Sequence, residues 1–431
     1  MMAGMSRMRI LWLNTNLLLP LDKGGKLRTW HLMRHLAERH EITYISFADP
    51  SQPEADRAGM SAVCSDLVTV PRRETPKEGV RFYANVLRYL LDPRPYAVAQ
   101  YRSREYQHAV RSTLAGKKYD RLVCDFLVPA VNLPRRLPCP AVLFTHNVEA
   151  EIWRRHSETE RGWLRRRLYA GQWKRMRRFE ARTVSRFDRI LAVSDVDRDT
   201  LQRLYPSELS APVSVIPTGV DTKYFAPQTT APDASRHLVF TGSMDWLPNA
   251  DGVQFFCREI LPLIRQAEPD VRFTIVGRAP TPAVRRLAEE PGIEVTGRVE
   301  DIRPYLAKAA VYVVPLRIGG GTRLKIFEAM SAGKAVVSTT IGAEGLPTES
   351  GRHLLLADTP ETFARSVVSV LRDVTARTAL EREARALVTE RYDWAAAGAH
   401  LEAALLDTRA PDREAASSAI PLTSFKRVKP L

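Results

Sequence analysis

Short apolar runs punctuate the first half of the chain at residues 9–13, Ile42–Phe47, Leu67–Val70, Arg121–Cys124, Ala141–Thr145, Arg189–Val193 and Val213–Ile216. Runs this short, with little polar alternation, predict strands covered on both faces, as in a parallel sheet. Between them the apolar positions take helical spacing. Leu27, Trp30, Leu32, Met33 and Leu36 fall on one face of a helix that follows the loop Lys23-Gly-Gly-Lys26. Strand, turn, helix, strand is the opening of an α/β sheet.

From Tyr224 to Arg236 the composition shifts to Pro, Ala, Thr and Ser, a turn-rich connector, and the pattern then restarts. Strands are predicted at His237–Thr241, Arg272–Val276, Val311–Val314 and Ala335–Ser338, and helices at Asp251–Arg265, Ala283–Glu289, Leu324–Ala332, 360–376 and 378–390. The expected architecture is α/β, with two doubly wound parallel-sheet domains at 8–216 and 217–391. A helix at 392–407 is expected to pack back on the first domain, and 408–431 to form a mobile tail. Such sheets bind ligands outside the carboxyl ends of their strands, so the site is expected in the cleft between the two domains.

Composition adds exclusions. At 431 residues, 45% hydrophobic and 26% charged, the chain is neither disordered nor fibrous. No run approaches the roughly 18 apolar residues needed to span a bilayer. Cys64, Cys124, Cys139 and Cys257 show no paired spacing, so neither a zinc site nor a disulfide framework is signalled, and a reducing cytosol fits. Arg7-Met-Arg9 and the apolar run after it could pass for a signal peptide, but Asn14 and Asn16 interrupt the run; a buried first strand reads better.

Charge changes the picture more. The net is +15, and residues 1–210 carry 37 Lys+Arg against 23 Asp+Glu, which leaves the second half almost neutral. An anionic membrane, an anionic substrate or nucleic acid could each answer such a field. So could genomic bias, since 52 of the 64 basic residues are Arg.

The sharpest local feature is Pro315-Leu-Arg-Ile-Gly-Gly-Gly-Thr-Arg-Leu-Lys-Ile-Phe-Glu-Ala-Met330. Gly319, Gly320 and Gly321 follow a strand and let the backbone approach a ligand, while the helix after them offers amides to an anion. Arg323 and Lys325 are cations near a helix start, where the dipole disfavours them unless a phosphate compensates. Glu328, one turn on, could accept ribose hydroxyls; an ordinary Lys–Glu surface pair is the alternative. The GxxxxGK[ST] spacing of a P-loop is absent.

Together with Val239-Phe-Thr-Gly-Ser-Met-Asp-Trp-Leu-Pro-Asn249, Ile216-Pro-Thr-Gly-Val-Asp221 and Thr145-His-Asn147, this segment resembles the retaining nucleotide-sugar glycosyltransferases of family 4, and most of all bacterial exopolysaccharide sugar transferases. The resemblance runs from about Arg9 to Leu405. It implies the GT-B fold, two facing Rossmann-like domains. It further implies that Arg323 and Lys325 hold the donor diphosphate with Gly24, Gly25 and Thr322, that Glu328 binds the ribose, and that His146 contacts the donor sugar near the reacting carbon. Members commonly carry a Glu where this chain has Gly320, so sugar recognition is expected to fall to the backbone of Gly319, Gly320, Gly321 and Thr322. A non-catalytic sugar-nucleotide binder stays open on that account. A dinucleotide oxidoreductase would need a GxGxxG opening that the first loop lacks.

Asp195-Val-Asp197 imitates a metal-binding DxD but follows Ser194 as a helix cap would. No metal and no cofactor beyond the nucleotide-sugar is therefore expected. The segment from Arg154 to Arg189 holds 13 Lys+Arg with Trp153, Trp163, Tyr169, Trp173 and Phe179 among them. Arg165, Arg166, Arg167, Lys174 and Arg175 with Trp163 and Trp173 are expected to meet an anionic lipid surface; a solvated helix with core aromatics is the plainer reading. Nucleic acid is not expected as a partner, because no binding-module signature accompanies the charge. The expected enzyme is cytoplasmic and peripheral on the inner membrane. It would take a UDP- or GDP-sugar and a polyprenyl-diphosphate-linked or other glycan acceptor.

Overall fold

The computed structural model describes residues 7–21, 24–73, 89, 92–160, 162–228, 236–318 and 324–408. Seven parallel strands build the first sheet: β1 (Arg9–Leu13), β2 (Glu41–Ala48), β3 (Asp66–Pro71), β4 (Arg121–Asp125), β5 (Ala141–Phe144), β6 (Arg189–Ala192) and β7 (Val213–Val215). Six more build the second: β8 (His237–Thr241), β9 (Arg272–Val276), β10 (Ile293–Gly297), β11 (Val311–Val314), β12 (Ala335–Ser338) and β13 (Leu355–Leu356). The helices of eight residues or more are α1 (Gly24–Ala37), α2 (Arg104–Gly116), α3 (Glu149–Thr159), α4 (Trp163–Val184), α5 (Asp195–Leu204), α6 (Leu247–Phe255), α7 (Leu324–Ser331), α8 (Pro360–Arg372), α9 (Val374–Arg391) and α10 (Trp394–Leu406).

Why the strand runs are apolar throughout is plain in cross-section. Leu11, Leu13, Leu122, Cys124 and Leu143 pack on one face of the first sheet, while Ile10, Trp12, Val123, Val142 and Phe144 pack on the other. Alternate residues thus enter different cores, and both must be apolar. Trp394, Ala397, Leu401 and Leu405 belong to the second of these cores, so α10 lies on the first domain although it follows the second in sequence. His40 Nε2, 2.9 Å from the buried Glu402 Oε1, and Arg189, 2.5 Å from Asp407, hold it there.

Both sheets reverse direction in the same way. The orders are β3-β2-β1-β4-β5-β6-β7 and β10-β9-β8-β11-β12-β13. The switch points fall between β1 and β4 and between β8 and β11, and ligands of doubly wound sheets bind there.

Several boundaries differ from expectation for local reasons. The helix expected from Asp251 begins at Leu247, with Pro248 in its first turn where a missing N–H costs nothing. The helix expected to run to 376 stops at Arg372, because Asp373 Oδ1 accepts from Ala376 N at 2.9 Å and starts α9. Strand β10 had no prediction; its residues are polar at alternate positions and only Ile293 is fully buried.

Candidate active site

Several segments of the first domain converge on one carboxylate. Asp125 closes β4, is wholly buried, and sits across the switch point from Asn14, the residue after β1. Its Oδ2 accepts from Trp12 Nε1 (3.1 Å), Asn14 Nδ2 (2.7 Å) and Thr29 Oγ1 (2.7 Å), and its Oδ1 lies 2.7 Å from His146 Nε2. A buried carboxylate is tolerable when its lone pairs are filled in this way.

His146 follows β5 by two residues and is 6% exposed. Phe144 tilts against its ring at 4.6 Å, and Phe126 stacks on it at 3.8 Å. Phe126 holds φ at 71°, a left-handed conformation that bulky residues seldom adopt. Gly25 makes room for that ring, since a Cβ at position 25 would stand 2.8 Å from Phe126 Cζ. Gly24 and Gly25, expected in a loop, form the first turn of α1, which thus reaches His146 through Phe126.

The remaining ring nitrogen, Nδ1, is 3.3 Å from Arg28 Nη1. Arg28 is 1% exposed, and its Nη2 donates to Thr218 Oγ1. A guanidinium only donates, so Nδ1 is the acceptor and the imidazole proton belongs on Nε2, facing Asp125. Burial pushes Arg28 down to about 10, against the pull of Asp125 and Asp197, which leaves it cationic at neutral pH. Burial also lowers His146 below its ordinary value; Asp125 opposes that shift and Arg28 reinforces it. The imidazole is neutral, with both nitrogens occupied inside the first domain.

At the second switch point the loop after β8 is flanked by cations. Lys325, in the first turn of α7, donates from Nζ to Asn249 Oδ1 at 2.8 Å and stands 4.1 Å over the Phe240 ring. Any side chain at position 242 would collide with this pair, because a Cβ on Gly242 would lie 2.6 Å from Asn249 Nδ2 and 2.8 Å from Lys325 Nζ. On the other side Arg278, just past β9, donates from Nε to Ser243 Oγ at 2.8 Å. Lys325 thus turns its ammonium to Asn249 rather than to Glu328. Burial raises the half-buried Glu328 carboxyl to about 7, with Lys325 opposing. Gly319, Gly320, Gly321, Thr322 and Arg323 lie outside the described residues, as do 409–431 of the expected tail.

Asp195 and Asp197 serve a helix start. Ser194 Oγ accepts from Asp197 N (3.1 Å) and donates to Asp197 Oδ2 (2.6 Å), while Asp195 pairs with Arg198 at 2.6 Å. Asp197 also faces the charge of Arg28, and burial raises its carboxyl.

The basic segment forms a hairpin of α3 and α4. Trp153, Trp173 and Phe179 pack against the first-domain core, and Tyr169 lies 6.1 Å from Trp153. Trp173 is thereby corrected from a surface residue to a core-packing one: its position turns it toward the sheet, with Lys174 exposed beside it and Arg175 partly covered. The amino-terminal end of α4 is different. Trp163 (77% exposed), Leu164 and Leu168 stand in solvent around Arg165, Arg166 and Arg167. Among the described residues no helix is long and apolar enough to cross a membrane.

Asp125, Arg28, Thr218 and Arg278 had not been singled out in the sequence. An acid closing an apolar strand was the available signal for Asp125, and a charge on the inward face of an amphipathic helix was the signal for Arg28.

Comparison with known proteins agrees with this geometry. The profile "Glycosyltransferase Family 4" matches residues 23–224 and "Glycosyl transferases group 1" matches 235–373. A Klebsiella pneumoniae protein described as an uncharacterized 44.6 kDa protein in the cps region is 21% identical over 89% of this chain and 96% of its own length. The phosphatidyl-myo-inositol mannosyltransferase of Mycobacterium tuberculosis is 30% identical over 47% of this chain, which spans 55% of that relative. The structure of Anabaena HepE in complex with UDP superposes with a TM-score of 0.65 and 16% identity, over 93% of this chain and all of that one. With a family 4 domain on its first sheet, a group 1 domain on its second and the switch points of both lined by polar clusters, the chain belongs to the glycosyltransferases of the GT-B fold.

Proposed function

We propose that the protein transfers a sugar, with retention of anomeric configuration, from a UDP- or GDP-sugar to a glycan carried on a lipid such as a polyprenyl diphosphate. The observation that carries the reading is Lys325: a cation in the first turn of α7, wedged against Gly242 at the second switch point. A leaving diphosphate would meet Lys325 and Arg323 there, with Thr322, Gly24 and Gly25 nearby, and the helix dipole would add to their field. Charge that develops as the glycosidic bond breaks is stabilised by cations already in place, with no metal required. Glu328 would take the ribose, and the backbone of Gly319, Gly320 and Gly321 the sugar. His146 would lie near the reacting carbon. Anabaena HepE has also been solved with UDP-glucose, which favours a uridine donor.

A lipid-borne acceptor fits the end of α4, where Trp163 and Leu164 are exposed beside three consecutive arginines. Rings at headgroup depth with Arg at the phosphates would serve as an interfacial anchor, which supports reading the enzyme as peripheral on the cytoplasmic face of an anionic membrane. The mycobacterial relative is named for a phospholipid and the Klebsiella relative for a cps region; both fit exopolysaccharide synthesis on such a surface.

Thermal unfolding against UDP, GDP, ADP and CMP tests the donor assignment. A nucleotide at 100 times its Kd should stabilise the protein by about 2.7 kcal/mol. Stabilisation by UDP or GDP that falls by half or more in Lys325→Met supports the reading, and no shift with any nucleotide overturns it.

A further inference from the structure

Two stretches of chain join the sheets, and they are joined to each other. Val220 N donates to Tyr392 O at 2.7 Å, Trp394 N donates to Val220 O at 3.3 Å, and Thr222 Oγ1 donates to Asp393 Oδ2 at 2.5 Å. Any movement of one domain against the other must pass through this strap, because hinges are the few residues at element ends that absorb it.

Helix α1 touches the strap at two points. His31 stacks on Trp394 with centroids 5.0 Å apart and planes 3° from parallel. One turn earlier, Arg28 reaches Thr218, three residues beyond β7 on the outgoing crossing. The same guanidinium holds His146 Nδ1, so Arg28 links the crossing to the imidazole by hydrogen bonds at both ends.

We propose that Arg28 is a positioning residue that couples the interdomain crossing to His146: where Thr218 goes, the hold on His146 Nδ1 follows. Three features make the coupling work. The guanidinium is a rigid planar fork, so a pull on Nη2 swings Nη1. Its Nε is buried without a hydrogen-bond partner, which leaves Thr218 and His146 to decide the plane. The contact to Nδ1, at 3.3 Å, is already at the long end of hydrogen bonding, and a small rotation breaks it.

Release has a chemical consequence. While Arg28 is in place Nδ1 is filled, and His146 has no acceptor to offer. Once Arg28 withdraws, Asp125 still accepts from Nε2–H and keeps the ring oriented, while Nδ1 becomes an acceptor for a substrate hydroxyl. Rearrangement of the crossing would thus arm the imidazole only when the two domains have moved together. The meaning of that arming for turnover rests on the reading of His146 as lying near the reacting carbon.

Thr218→Val is the informative variant, since it removes the hydroxyl without touching His146. In protein labelled with ¹⁵N-histidine, with the His146 signals identified by their loss in His146→Gln, Thr218→Val should shift the Nδ1 resonance and leave Nε2 near its wild-type position. Arg28→Lys keeps the charge but cannot span both partners; it should shift Nδ1 as well, and Thr218→Val added to it should change nothing more. Because release of Nδ1 no longer waits for the crossing to move, each single variant is expected to raise hydrolysis of the donor relative to transfer about tenfold, the size of one coupling interaction, with donor KM little changed. An unmoved Nδ1 resonance in Thr218→Val, or additive effects in the double variant, overturns the coupling. If the wild-type protein transfers no sugar from any nucleotide-sugar, the functional reading fails instead, and the resonance cycle still reports on Arg28.

Discussion

The ring of Phe126 lies 3.8 Å from that of His146 with the planes 11° apart, and it is held there by a backbone at φ 71°. A non-glycine residue in that region carries about 1–3 kcal/mol of strain, which persists only where the surroundings enforce it. Here they do, because Gly25 covers the ring so closely that a methyl group would meet Cζ at 2.8 Å. Gly25→Ala is expected to push Phe126 off the imidazole and lower kcat by tenfold or more, about what misplacing a catalytic group costs, while Tm falls only slightly. Unchanged turnover would show that the stack does not matter to the site.

Donors from four separate residues meet at Asp125. Asp125→Asn keeps the shape but puts an amide donor against donors from Trp12, Asn14, Thr29 and His146. Leaving buried donors unmatched should cost about 3 kcal/mol, read as a lower urea midpoint at unchanged m-value.

Lys325 is expected to act on affinity rather than on folding. Its ammonium donates to Asn249 and stands over the Phe240 ring, and its charge also favours ionised Glu328, so Lys325→Met lets burial raise the Glu328 carboxyl further and take up a proton. A lost charge-assisted bond to a phosphate is worth about 1.5–3 kcal/mol, which corresponds to a ten- to hundredfold rise in the Kd for UDP or GDP by calorimetry.

Glu149 and Glu180 make stability fall with pH. Glu180 accepts from Glu149 N (3.0 Å), Ala150 N (3.1 Å) and Tyr205 Oη (2.6 Å), which anchors the start of α3 just past His146. Burial pushes both carboxyls up to about 7, and the charge of Glu180 adds to the shift on Glu149. Three donors favour ionised Glu180, so Glu149 is the one that keeps a proton. Their folded values lie above the unfolded ones, so the stabilising proton is lost as pH rises from about 4.5 through about 7. Glu149→Gln should raise Tm at pH 8 by a few degrees, and the gain should shrink toward pH 4.5. A gain that is constant with pH would contradict the proton kept on Glu149.

The exposed end of α4 gives the membrane reading its test. An arginine beside an anionic surface contributes about 1 kcal/mol, so changing Arg165, Arg166 and Arg167 to Glu should weaken flotation with phosphatidylglycerol vesicles by 100-fold or more. Trp163→Ser should weaken it less and without salt dependence. Binding that ignores both changes would assign the charge to solvent.

The two-sheet architecture was legible because the central runs, such as β1, β4, β5, β11 and β12, are buried on both faces, and a run with that constraint announces itself without partners. Lys325 could be picked out for a similar reason, since a cation in a first helical turn is locally unfavourable; the glycines picked out with it lie outside the described residues. Ser194 as a cap was equally local. Asp125 and Arg28 were not legible. Their neighbours come from β1, α1, β5 and the interdomain crossing, up to 190 positions away in sequence for Arg28 and Thr218. Trp173 and Trp163 differ in the same way, since composition puts both in one basic segment and only the packing of α4 against the sheet sends one inward and leaves the other in solvent. Local patterns set by burial and helix geometry could be read from the chain alone. Which polar groups share one buried charge was decided by the tertiary structure, because desolvation is satisfied by whatever partners the fold brings within about 3 Å.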